Sequence, residues 1–484
     1  MLKKVVNILV AFSLILLVGC ASTSKMDVSD ASKLDRTKAP EAGNPKPVVF
    51  PKFQEATLSN GLDLIVIENN KLPMVFISFT LRGGSYFDGD KIGVSSLTST
   101  LLTKGTTNRT AMEIANEVDF LGSDLGSTST WDANRLTIRT LKKNLSQSTD
   151  ILVDCLLNPT FAEDELKREV TQRLAGIKQG KTEPNNLAEI QFAKVIFGET
   201  PYGNPSTGTE TSLNNITVTD LKAFYKKYFL PNNSFCVISG DITLNEAVAL
   251  LEEKLKDWKK GEDVKKDIVT AELPSKPRVV VVDRMGAVQS AIRVGSVGMD
   301  RTNPDYFKLS TLNTYLGGYF RAQLTQKLRE EKSYTYGVSS GFDARLFPGP
   351  FAVRTSVGSE VTALAIDDIF EEIKKVSTTL IADDRFNEVK NYIMGSFPTG
   401  IQTNMQVASA VSNLKLYGLP MNYYDNYISS IQKITKEDLK QVAEKYLDVS
   451  KMSIVISGDN ETIAPTLEKF GTVESVDADG RVLR

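Results

Sequence analysis

No histidine occurs among the 484 residues. Without an imidazole the chain on its own runs neither a Ser-His-Asp nor a Cys-His mechanism, and it builds none of the His-containing zinc sites typical of hydrolases. Other nucleophile patterns are weak. Ser430-Ile431-Gln432-Lys433 fits a Ser-x-x-Lys pair, yet a four-residue match arises by chance in most chains of this length, and Ser22 to Lys25 is another. Of three cysteines, Cys155 lies among Leu152, Val153, Leu156 and Leu157, and Cys236 between Phe235 and Val237. Such neighbours mark small buried core residues, with a disulfide between them as the alternative in an oxidising compartment.

Cys20 has a different setting. Lys3 and Lys4 precede the apolar run Ile8 to Val18, which ends in Leu17-Val18-Gly19-Cys20. A basic start followed by a short apolar stretch is a secretory signal, too short to cross a membrane comfortably. Its ending resembles the bacterial lipobox, in which the cysteine is lipidated and becomes the mature N-terminus. Residues 1–19 are therefore expected to be a signal peptide, and 20–49, rich in Ser, Lys, Asp and Pro, a lipidated tether. Ala21 rather than an aspartate follows the cysteine, which predicts an outer-membrane anchor facing the periplasm of a bacterial envelope.

The elements that must position any site come from composition and repetition. Lys and Arg number 57 and Asp and Glu 59, a net charge of −2 that argues against a general nucleic-acid binder and leaves proteins, peptides or small molecules as partners. Ile216-Thr217-Val218-Thr219-Asp220-Leu221-Lys222 returns as Ile434-Thr435-Lys436-Glu437-Asp438-Leu439-Lys440, and Val237-Ile238-Ser239-Gly240-Asp241 as Val455-Ile456-Ser457-Gly458-Asp459. Both recur at the same spacing, 434 − 216 = 455 − 237 = 218. Two homologous lobes follow, at 50–258 and 278–470, with 259–277 as a Lys- and Pro-rich linker and 471–484 as a tail.

Each lobe mixes two periods. Leu62 to Ile67 and Val75 to Leu81 read as strands with a hairpin-like connection through Asn69 to Pro73. Leu166, Val170, Leu174 and Ile177 make a helical stripe, as do Leu364, Ile369 and Ile373. The fold class is α+β, each lobe an antiparallel sheet packed with helices. Asn134 to Arg139 reads as a strand, internal or at an edge where an extended peptide could add.

The order of these pieces resembles the pitrilysin/insulinase family of zinc peptidases, the inverzincins, whose two lobes form a clamshell. Carrying the resemblance are Leu81-Arg82-Gly83-Gly84-Ser85, Gly93 to Thr106, Phe120-Leu121-Gly122-Ser123, Pro201-Tyr202-Gly203 and Asp220 to Tyr228, then Gly317-Gly318 and Leu328 to Val338. The family's chemistry resides in H-x-x-E-H on a first-lobe helix, with a later glutamate completing the zinc site. Aligned on Gly93 to Thr106, the histidine positions fall on Ser96 and Thr100, the general-base glutamate on Ser99, and the distal glutamate near Gly176. Neutral hydroxyls are poor zinc ligands, so no cofactor is expected on this chain.

The resemblance also implies what is retained. Arg329 and Tyr336 match a family arginine and tyrosine that reach the scissile peptide, where a guanidinium and a phenol can donate hydrogen bonds to a developing oxyanion. The implied assignment is a non-catalytic subunit assisting a homologous H-x-x-E-H-bearing partner that holds the zinc and cleaves peptides. The alternative is a structural or peptide-binding pseudopeptidase. The pair Gly317-Gly318 reads either as a close backbone approach or as a helix-start turn.

Overall fold

The computed structural model describes Thr37 and residues 48–264 and 273–483. The signal peptide, Cys20, nearly all of the tether and residues 265–272 of the linker lie outside the described residues. Six strands of the first lobe are β1 (Gln54–Thr57), β2 (Asp63–Glu68), β3 (Met74–Arg82), β4 (Asp124–Ser129), β5 (Ala133–Leu141) and β6 (Ser234–Gly240). Six of the second are β7 (Val279–Asp283), β8 (Gln289–Val297), β9 (Val338–Phe342), β10 (Pro350–Gly358), β11 (Ser453–Gly458) and β12 (Val473–Val476). The helices that bear on the site are α1 (Val94–Leu101), α2 (Leu145–Leu157), α3 (Glu163–Gly180), α4 (Pro184–Phe197), α5 (Val218–Tyr228), α6 (Tyr306–Asn313), α7 (Thr362–Thr378), α8 (Asn404–Tyr417) and α9 (Lys436–Tyr446).

Each lobe holds one sheet, ordered β1-β2-β6-β3-β5-β4 in the first and β12-β7-β11-β8-β10-β9 in the second. Both are mixed. Antiparallel pairs dominate, and parallel pairs join β2 to β6 and β7 to both β11 and β12. The expected hairpin between the first two long strands does not form, because β6 pairs with both and separates them. Every position of β6 is buried, which a strand reaches only in the middle of a sheet covered on both faces. Asn134 to Arg139 belongs to β5, which is internal between β3 and β4, so the edge alternative fails.

The repeat is visible in hydrogen bonds. Thr217 caps α5 through a reciprocal box with Asp220, and Thr435 caps α9 through the same box with Asp438. On α7, Ile369 and Ile373 are fully buried, but Leu364 is 50% exposed. The buried stripe runs instead through Ala365, Ile366, Ile369, Ile373 and Val376, the spacing that keeps one face toward the sheet.

The lobes exchange helices. One face of each sheet packs on helices of its own lobe, such as α1, α2 and α5 in the first and α6, α7 and α9 in the second. The other face of the second sheet, with Val280, Val282, Ala352 and Val455, is covered by Leu187, Phe192, Val195 and Ile196 of α4, a first-lobe helix. In return Val407, Ala408, Val411 and Leu416 of α8 cover Ile65, Ile67, Phe76, Phe235 and Val237 of the first sheet. Polar ties follow the same exchange. Glu189 on α4 accepts from Arg293 Nε (2.7 Å) and Arg354 Nη2 (2.9 Å), while Arg135 on β5 donates to Asn413 on α8 (2.7 Å). Burial alone would raise the Glu189 carboxyl, but Arg354 and Arg293 outweigh it and hold the group below the ordinary range. Residues 48–484 form one compact unit.

Candidate functional site

The segment Gly93 to Thr106 begins at a glycine with φ +97°, where a Cβ would stand 2.7 Å from the Cα of Gly208. Only glycine fits that close approach of two backbones. Helix α1 starts there, and its first N–H groups are satisfied by a buried carboxylate: Asp88 accepts from Gly93 N (2.6 Å) and Ser95 N (2.9 Å). Burial pushes the Asp88 carboxyl up to about 7, against the pull of those two donors and of the nearby Arg173.

Ser96, Ser99 and Thr100 all sit on α1, and the structure gives them partners that the sequence did not suggest. Ser99 is buried against the edge strand β4, with its Oγ 2.6 Å from Ser127 Oγ and donating to the Thr128 carbonyl (3.1 Å). It is a strut between helix and sheet, and a hydroxyl engaged in this way is no carboxylate to take a proton. Ser96 and Thr100, one turn apart, both face Arg173 of α3. Its Nη1 donates to Ser96 Oγ (3.0 Å) and to the Thr207 carbonyl (3.1 Å). Its Nη2 donates to Thr100 Oγ1 (2.9 Å) and the Ser96 carbonyl (3.3 Å), and Nε to Glu169 Oε1 (2.8 Å). All five guanidinium N–H groups are engaged.

Zinc does not fit these residues. The two aligned ligand positions carry hydroxyls already bonded to a cation, and a divalent ion about 4 Å from that guanidinium would meet a repulsion of about 8 kcal/mol at an effective dielectric of 20. Gly176 lies one turn beyond Arg173 on α3, and a Cβ there would meet nothing within 4 Å, so the distal position is open space. Among the described residues no group of three His, Cys, Asp or Glu is arranged to hold a metal ion. Arg173 and Glu169 were missed by sequence reasoning. The available signal was an acidic and a basic residue four apart on the helix bearing Gly176, a pattern shared with most solvated helix faces.

Arg329 sits in a π-helical turn, Gln326–Glu331, with its guanidinium 5.0 Å over the Phe320 ring and Nε 3.5 Å from Glu330. Ser333 then takes a left-handed conformation (φ 54°), which lets the Tyr334 N–H reach the Leu328 carbonyl at 2.9 Å and ends the helix. Thr335 pins the next turn, donating to the Gly337 carbonyl (2.9 Å) and accepting from Gly337 N–H (3.1 Å) and Thr355 Oγ1 (3.1 Å). Tyr336 is left pointing outward, 96% exposed, beside a cavity of about 300 Å³ shared with Asn185, Arg354 and Thr355. It is neither half-buried nor within a strand. Among the described residues no hydrogen bond joins Arg329 and Tyr336 to each other or to α1. Gly317 and Gly318 close a π-helical turn, Thr314–Gly318, rather than opening a helix, and a Cβ on Gly317 would meet Ser340 N at 2.5 Å, which is the close backbone approach.

The cysteines are separate free thiols, Cys155 on α2 and Cys236 on β6. Burial pushes the Cys155 thiol up to about 12 and raises Cys236 as well, so neither is a nucleophile near neutrality. Ser430 and Lys433 share the short helix Tyr427–Lys433, and no hydrogen bond joins their side chains.

Family models match both lobes: the insulinase (peptidase family M16) model over residues 64–210 and the peptidase M16 inactive domain model over 215–393. The chain belongs to the insulinase (M16) peptidase family. Within that family, it is 25% identical over 399 residues to the non-peptidase homolog YmxG of Helicobacter pylori, covering 81% of this chain and 91% of that protein. An uncharacterized zinc protease of Streptomyces coelicolor is 24% identical, covering 72% of this chain and 76% of its own length. In three dimensions an M16 inactive domain from Pseudomonas fluorescens superposes with a TM-score of 0.79 at 27% identity, over 84% of this chain and 98% of that one. A protease from Helicobacter pylori has the same TM-score at 19% identity, over 84% and 99%, and shares the fold. The match to the M16 inactive domain model and the likeness to a non-peptidase homolog, in a chain without histidine, support a non-catalytic M16 member.

Proposed function

We propose that the chain is the lipid-anchored, non-catalytic subunit of a two-chain zinc metallopeptidase, lending Arg329 and Tyr336 to a homologous partner that carries H-x-x-E-H and the metal. The single observation that supports this best is the contrast between the two halves of the ancestral site. The α1 hydroxyls are closed off by Arg173, whereas Tyr336 stands in solvent with no hydrogen bond and Arg329 lies on an exposed Phe320. A phenol and a guanidinium facing outward are groups for another molecule to use, and both residue types concentrate at the energetic centres of interfaces. Against a bound peptide they would donate hydrogen bonds to the carbonyl oxygen as negative charge develops on it.

The test is reconstitution with an H-x-x-E-H-bearing sister chain. Arg329→Ala and Tyr336→Phe are each expected to lower kcat/KM of the pair by about 100-fold or more, the usual cost of one oxyanion donor. Unchanged turnover in both variants would sink the assisting role and leave a structural or peptide-binding pseudopeptidase.

Attachment to the bacterial outer membrane, on its periplasmic side, is proposed to run through acyl chains on Cys20. No helix among the described residues is long and apolar enough to cross a bilayer. Cys20→Ser is expected to move the protein from the membrane pellet to the soluble fraction on cell fractionation; a variant that stays in the pellet rejects the anchor.

A further inference from the structure

We propose that Arg173 is a built-in substitute for a metal ion: its guanidinium makes the mechanical connection between α1 and α3 that a bound cation would make at these positions, and it bars a divalent ion from returning. The geometry is specific. Nη1 and Nη2 fork between Ser96 and Thr100, the two aligned histidine positions, while Nε is held by Glu169 on the same helix, four residues back. The Thr207 carbonyl brings in a third segment, the loop that meets Gly93 at the start of α1. The side chain is only 13% exposed, and its charge is balanced by Glu169 at hand.

Two alternatives fail on the same distances. With all five N–H groups bonded within the protein, no donor is left to bind an anionic ligand. A mere surface ion pair with Glu169 would not need the two hydroxyls and two carbonyls that the fork engages, and would not be buried between three segments. Neutral serine and threonine can be tolerated on a buried helix face opposite α3 because this cation supplies the donors that their oxygens accept.

The inference concerns the isolated chain and stands or falls apart from any partner. The experiment is metal analysis of the full chain after dialysis against zinc. A four-fold variant with restored ligands (S96H, S99E, T100H, G176E) is expected to retain almost no zinc while Arg173 is present. Adding R173L is expected to raise binding toward one zinc per chain. Stoichiometric zinc in the four-fold variant overturns the proposal, and so does a five-fold variant that loads no more than the four-fold one. In the otherwise native chain, R173M is expected to lower the melting midpoint by about 3 °C or more; melting with the wild type also overturns it. Should R173M not fold, R173K carries this arm. It keeps the charge but not the fork, and faster amide exchange across α1 is expected, with unchanged exchange counting against the proposal.

Discussion

Phe192→Ala is expected to destabilise the protein by about 3–5 kcal/mol, the range for emptying a fully buried phenylalanine site. Phe192 belongs to the first lobe by sequence, yet it is 1% exposed because α4 inserts it among Val280, Val282 and Val455 of the second sheet. That cavity would open between two β-strands and a helix anchored elsewhere by the Glu189 ion pairs, where little collapse is available to fill it. Denaturant unfolding of the full chain measures the effect, with Phe120→Ala as the control: Phe120 is 89% exposed at a helix end and its truncation should leave the midpoint unchanged. A loss below about 1 kcal/mol for Phe192 would mean that α4 does not seal the second sheet.

The second large effect is expected at Asp132, the polar junction of the lobes. Its carboxylate accepts from Tyr202 OH (3.0 Å), from Tyr417 OH on α8 (2.9 Å) and from the Leu346 N–H of the second lobe (3.1 Å). Around it, the Arg345 guanidinium lies 4.6 Å from the Trp131 ring and 4.7 Å from the Tyr202 ring. Asp132→Ala strands one buried donor, Tyr202 OH, and two half-buried ones, Tyr417 OH and the Leu346 N–H, and at roughly 1–3 kcal/mol for each unsatisfied group the loss should reach about 3–5 kcal/mol. The charge adds a pH signature. Burial raises the Asp132 carboxyl above its ordinary range despite the tyrosine and backbone donors. A carboxyl raised in the folded state contributes stability that is fully present below its unfolded value near 3.9 and is lost as pH rises through the folded value. Asp132→Asn, which cannot ionise, should therefore remove that part of the decline in unfolding free energy above pH 4. Parallel pH profiles for the two proteins would contradict the assignment.

The sequence was most legible where the signal is local or repeated. The two Thr-x-x-Asp capping boxes, 218 residues apart, located the same helix in each lobe, and the following apolar strand fell at the centre of each sheet. Absence of histidine was equally plain, because a residue count needs no geometry. What stayed hidden was pairing at a distance. Nothing near Asn69 to Pro73 reveals that β6, more than 150 residues on, comes between the strands on either side. The apolar residues of α4 mark a buried helix but cannot name the sheet that buries it. Leu364 was misplaced because a helical stripe read from its large residues alone can shift by one position, and the small Ala365 holds the buried place. Arg173 was overlooked for a chemical reason: a site judged by the ligands it has lost does not announce the cation that has moved in.

The exchange of helices has a consequence for how the molecule comes into being. As the chain emerges amino-terminus first into the compartment where it folds, the strands of the first sheet are complete once Gly240 has appeared, yet the layer that seals their outer side, Val407 to Leu416, follows more than 160 residues later. Throughout that interval Ile65, Ile67, Phe76, Phe235 and Val237 form a bare greasy plane on a half-made protein, the kind of surface that holdase chaperones shield. The amino-terminal half is thus not an autonomous folding unit, and a stop codon at the junction of the repeats should yield an insoluble fragment, not a smaller working lobe.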